Sequence, residues 1–146
     1  MSGKRPVVGL FCATFLRQEM LHIHRQISGL NNFSPVVITQ KREGSWAADR
    51  VEVIPRSPFR FVGRGIERWL GMPWQSSGAE AGKIRHILQN TEAGLLHIFF
   101  GNVAIHMLPV IRSAGVPVVI SFHGSDVTGQ IATPAFSAAR REMFER

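Results

Sequence analysis

The stretch "GLLHIFFGNVAIHMLPVIRSAGVPVVISF", residues 94–122, decides the fold. Its first part, "GLLHIFF" (94–100), is apolar apart from His97 and reads as a buried strand. Residues 102–114 then set Val103, Met107, Leu108 and Ile111 on one helical stripe. Pro109 lies inside that helix and predicts a kink or break, because proline lacks the N–H and crowds the preceding turn. Gly115 closes the helix, and "VPVVISF" (116–122) is the next strand. Parallel strands need a crossover of this kind.

The same pattern extends towards the amino terminus. "VVGLFC" (7–12) is a continuous apolar run suited to burial on both faces. Leu16, Met20, Ile23, Ile27 and Leu30 follow at steps of four and three, one stripe of an amphipathic helix, with Gly29 and Asn31-Asn32 as its stop. "PVVIT" (35–39) and "VEVI" (51–54) read as strands, with "QKREGS" an exposed loop between them. Ser77 and Glu80 form a capping-box pattern that starts a helix reaching about Thr91, with Ile84, Ile87 and Leu88 inward. Thr133 and Pro134 supply an N-cap and a first-turn proline for a last helix. The order predicts one α/β domain over 1–146, a Rossmann-like, mostly parallel sheet flanked by helices. The last helix, with Phe136, Met143 and Phe144 at helical spacing and no stop residue, predicts that more chain should follow.

Composition narrows the function classes. The chain has 146 residues, a net charge of +7 and one cysteine, so an anionic partner is expected and an intrachain disulfide is excluded. The apolar start follows Lys4 and Arg5, but Arg17 comes too soon and no cleavage pattern follows, so it reads as a strand, not a signal peptide. No stretch is long enough to span a bilayer. The only G-x-G, Gly63-Arg64-Gly65, has Arg68 where the third glycine of a dinucleotide loop belongs. Walker A and G-x-S-x-G sequences are absent. The six histidines have no zinc spacing, so no metal is expected, and His97 on a buried strand reads as a hydrogen-bonded core residue.

Ligands of such folds sit beyond the carboxyl ends of the strands. Three polar stretches fall there: "ATFLRQE" after the first strand, Gly101-Asn102 after the fourth, and "HGSD" (123–126) after the fifth. His123 could exchange a proton or hydrogen bond with a substrate hydroxyl near neutral pH, and Gly124 lets backbone N–H groups approach a phosphate or sugar. The bland alternative is a turn in which Gly124 takes positive φ and Ser125 or Asp126 caps the next segment. Between 55 and 77, Arg56, Arg60, Arg64 and Arg68 recur every four residues, interleaved with Phe59, Phe61, Trp69 and Trp74. A short helix is expected near 61–70, since Pro58 breaks any earlier start. Its basic face is either simply solvated or touches anionic lipid through Arg60, Arg64, Arg68 and Trp69.

Residues 95–129, "LLHIFFGNVAIHMLPVIRSAGVPVVISFHGSDVTG", resemble the amino-terminal domain of family-4 retaining glycosyltransferases of the GT-B fold, more narrowly the colanic-acid and exopolysaccharide type. The shared features are His97 on a strand, Phe100-Gly101, Gly115-Val116-Pro117 and Phe122-His123-Gly124-Ser125-Asp126. "TFLRQEM" (14–20) is similar to that group's "TF-x-x-x-E" through Thr14, Phe15 and Glu19. Ala13-Thr14 stand where many relatives have a glycine pair, which argues against phosphate contact by this loop.

The resemblance implies the acceptor half of a nucleotide-sugar-dependent, retaining hexosyltransferase of polysaccharide biosynthesis, with a donor domain outside this chain. It implies His123 as the catalytic residue in the cleft. Thr14, Phe15, Glu19, Gly101, Asn102, Gly124, Ser125 and Asp126 would line it. No cofactor is implied beyond the nucleotide-sugar co-substrate. The expected partners are a glycan or lipid-linked glycan acceptor, a donor-binding domain and an anionic membrane surface, and the expected place is the cytoplasm, peripheral to the inner membrane face. The competing reading is a standalone Rossmann-like module that pairs with a separate donor subunit through an apolar patch at Phe136, Met143 and Phe144. Nucleic-acid binding rests on charge alone and lacks a motif.

Overall fold

The protein is described by a computed structural model over residues 4–18, 21–44, 50–124, 126 and 134–145. Five strands, β1 (Val7–Phe15), β2 (Ser34–Arg42), β3 (Val51–Val53), β4 (Ala93–Phe99) and β5 (Val118–Ser121), form one sheet in the order β3-β2-β1-β4-β5. Every neighbouring pair is parallel. The fold is therefore α/β and Rossmann-like, as the apolar runs predict.

Central strand β1 shows why. Val8, Leu10 and Cys12 join one core cluster and Phe11 the other, on the opposite sheet face. Both faces are covered, so β1 needs no polar side until its end. One cluster contains Ile23 and Ile27 of helix α1 (Leu21–Ser28). The other contains Ile84 and Leu88 of α3 (Gly78–Asn90), which follows α2 (Arg60–Leu70). Ile87 packs partly buried against that second cluster. The Ser77–Glu80 capping box is complete in both directions.

After β4 the helical stretch is broken, as Pro109 requires. It runs as α4 (Gly101–Ala104), a 3-10 turn (Ile105–Met107) and α5 (Leu108–Ser113), with proline in the first turn of α5 where no N–H partner is lost. Gly115 takes φ +70° behind it. A 3-10 turn (Pro134–Phe136) leads into α6 (Ser137–Glu145); Thr133 lies outside the described residues. Phe136 and Met143 are buried while Phe144 stacks on Phe122 and stays exposed, so the three do not form one open apolar patch.

Three boundaries depart from the sequence expectation. β1 continues through Ala13, Thr14 and Phe15 because Thr14 and Phe15 pair with Lys41 and Arg42 of β2. That same pairing draws Gln40, Lys41 and Arg42 out of the expected loop and into β2. Leu16 has φ +62° and cannot belong to the helix whose stripe it matches.

Candidate functional site

Sheet order reverses between β1 and β4, since β2 leaves β1 on one side and β4 joins on the other. Ligands of open α/β sheets sit at this reversal, beyond the carboxyl ends of the strands. A cavity of about 830 Å³ lies there. Thr14 from the end of β1, Asn102 from α4, and His123 and Asp126 from the loop after β5 all line it. The three polar stretches flagged by sequence thus converge through the parallel topology alone.

Asp126 organises the floor. It is 4% exposed, and its Oδ2 accepts the backbone N–H of Gly101 at 3.0 Å and of His123 at 3.1 Å. The Asp126 N–H returns a bond to the His123 carbonyl at 2.9 Å. Gly124, at φ +44°, makes this turn possible. The turn reading and the site reading therefore coexist: one carboxylate fixes the backbone that presents the imidazole.

His123 sits in a cluster of rings. Its centroid is 4.8 Å from that of Phe100 and 5.3 Å from that of His22. Its Nε2 is buried and has no hydrogen-bond partner. Leaving such an atom unsatisfied costs roughly 1–3 kcal/mol, which a ligand hydroxyl would relieve. Phe100 is held at φ +75°, ψ 127°, outside the regions open to L-residues, at the point where β4 turns into α4. Strained backbone of this kind gathers at ligand sites.

Much of the remaining lining is cationic. Arg17, Lys41, Arg56, Arg60 and Arg64 line the cavity against two carboxylates, Glu43 and Asp126. Arg56 donates to Gln40 Oε1 at 3.2 Å and to Thr14 Oγ1 at 3.4 Å, which aims it at the end of β1. Burial, then the charges of Arg56 and Arg64, pull the Arg60 guanidinium below its usual range. Lys41 donates to Glu43 at 2.7 Å, and that bond holds the Glu43 carboxyl below its usual range. Mutually repelling guanidiniums around one cavity favour an anion between them.

The remaining sequence candidates are placed differently. Phe15 is 1% exposed in the core cluster with Ile23 and Phe99. Gly101 is buried and contributes its N–H to Asp126. Arg68 lines a neighbouring cavity of about 960 Å³ together with Trp74 and His106, and Trp69 is exposed. Glu19 and Ser125 lie outside the described residues. His97 is half-buried and bonded to Ser121 Oγ, the core role its strand position suggests. Sequence reasoning missed His22, Arg17, Lys41 and Arg56 as neighbours of His123. Among the described residues no three metal-ligating side chains gather, and no helix is long and apolar enough to cross a membrane. Comparisons with protein-family models, with curated proteins and with solved structures yield no match to this chain.

Proposed function

We propose that this domain is the acceptor-binding half of a nucleotide-sugar-dependent retaining glycosyltransferase of polysaccharide biosynthesis. The observation that carries the reading is that His123, whose Nε2 is buried without a hydrogen-bond partner, lines one cavity with Arg56, Arg60 and Arg64 at the carboxyl edge of the sheet. Sugar transfer needs a group that orients a hydroxyl and a counter-charge for phosphate. His123 offers the first and Arg56, Arg60 and Arg64 the second. In this reading a second α/β domain, on the same or another polypeptide, holds the nucleotide, and the two close over the cavity. His123 then hydrogen-bonds the transferring sugar or the acceptor hydroxyl, and Asp126 acts through the backbone by positioning it. The aromatic faces of Phe100 and His22 suit the apolar side of a sugar ring.

The test is a histidine-ring NMR titration of this chain with a nucleoside diphosphate hexose and, separately, with a sugar on a short soluble prenyl diphosphate. Saturable shifts of the His22 and His123 resonances with the prenyl-linked sugar, lost in Arg56→Gln/Arg60→Gln, are expected. Absence of any shift at millimolar ligand would sink the reading.

A further inference from the structure

Helix α2 is laid inside out. Residues of an α-helix follow one another by about 100°, which sets Arg60, Gly63, Arg64 and Glu67 on one stripe and Val62, Ile66, Trp69 and Leu70 on the other. A surface helix ordinarily buries the apolar stripe. Here no residue of α2 is buried, and its half-buried positions are Arg60, Gly63 and Glu67. The polar stripe faces the domain: Arg60 and Arg64 line the cavity below, and Glu67 accepts the Trp74 N–H at 3.4 Å. The apolar stripe faces out. Trp69 is 86% exposed, and Val62, Ile66 and Leu70 are exposed beside it; Phe61, also exposed, borders the second cavity.

We propose that α2 is a membrane-interfacial helix that rests in the surface of an anionic bilayer, with Val62, Ile66 and Trp69 among the acyl chains. Two observations favour lipid over a protein partner. Trp69 lines neither cavity and stands clear of the surface, so it suits a medium that parts around it. The charge also fits: residues 55–77 hold four arginines against one glutamate, in a chain of net charge +7. Tryptophan beside arginine is the pairing that headgroup layers favour. This inference does not depend on the glycosyltransferase reading. Joined to that reading, it specifies the acceptor. The cavity lies under a single helix, about 10 Å thick, so an anionic, lipid-linked glycan could enter it without leaving the membrane.

Co-sedimentation with vesicles tests the proposal, using phosphatidylcholine mixed equally with phosphatidylglycerol and phosphatidylcholine alone. The wild-type chain is expected to sediment with the mixed vesicles and more weakly with the neutral ones. Val62→Ser/Trp69→Ser should lower the partition coefficient at least about tenfold through lost apolar burial, with an unchanged melting curve because both residues are exposed. An environment-sensitive dye on Ile66→Cys should shift to the blue on mixed vesicles; Cys12 will not compete for it, since burial pushes its thiol up to about 12. The proposal is overturned if the wild type stays in the supernatant, if the double variant sediments equally well, or if neutral vesicles bind as strongly. Self-association abolished by the double variant, without vesicle binding, would assign the face to a second copy instead. None of these readouts involves a cavity ligand, so failure here leaves the histidine titration to be judged separately.

Discussion

Asp126 Oδ2 lies 3.0 Å from the backbone nitrogen of Gly101, and this bond joins two loops separated by 25 residues. One loop ends β4 and the other follows β5, so the carboxylate clamps both banks of the candidate site. Asp126→Ala leaves the N–H groups of Gly101 and His123 without their partner. We expect a loss of about 1–3 kcal/mol from the buried donor, seen as a lower urea midpoint. Asp126→Asn keeps an acceptor oxygen and should lose less, because only the charge assistance disappears. Equal midpoints for wild type and Asp126→Ala would show that the clamp contributes nothing.

Phe100 provides a second test, because its backbone and its ring make opposite demands. Its φ of +75° disfavours every residue with a Cβ, while its ring packs beside His123. Phe100→Ala and Phe100→Gly both lose the ring, but only glycine relaxes the backbone. Glycine is therefore expected to be the more stable replacement, by about 1 kcal/mol, the reverse of the usual order. Thermal melts of the two variants decide it; an alanine variant more stable than the glycine one would argue against strain at this position.

The sheet was legible because its signals are local. Val7 to Cys12 is apolar without interruption and Gly94 to Phe100 is interrupted only by His97, and only burial on both faces tolerates that. Ser77 with Glu80 and the break before Pro109 were equally local, depending on hydrogen bonds within four residues. The extension of β1 to Phe15 was not, since it depends on pairing with Lys41 and Arg42 of β2. For the same reason sequence reasoning found His123 but not its neighbours: Arg17, Lys41 and Arg56 come from three separate segments, and only the parallel register brings them together. The amphipathic pattern of α2 was readable, yet nothing in periodicity says which stripe faces the domain.

Gly63 and Gly65 form a matched pair on α2. A Cβ at Gly63 would stand 1.6 Å from Trp74 Cδ1, whereas one at Gly65 would meet nothing within 4 Å. Glycine to alanine inside an exposed helix normally stabilises by about 0.5–1 kcal/mol. Gly65→Ala should show that gain in thermal melting. Gly63→Ala should reverse it, because the indole must leave the groove where it fastens α2 to the domain, and tryptophan emission should move to the red. Equal gains at both positions would mean that Trp74 does not hold the helix.

His97 makes stability depend on pH in a defined direction. Burial, and then the charge of nearby His123, lowers its pKa from the ordinary 6.5, so the folded protein holds it neutral against Ser121. In the unfolded chain the ring titrates near its ordinary value and binds the proton first. Below pH 6.5 the unfolded state therefore carries more protons, and stability falls until the folded ring is protonated as well. Above that value the contribution is complete. His97→Gln keeps a polar group for Ser121 but cannot titrate. Its urea midpoint should fall less steeply than that of the wild type as pH drops through 6.5. The two proteins differ only at this residue, so the difference between the two curves isolates this ring; superimposable curves would show that burial of His97 does not hold it neutral.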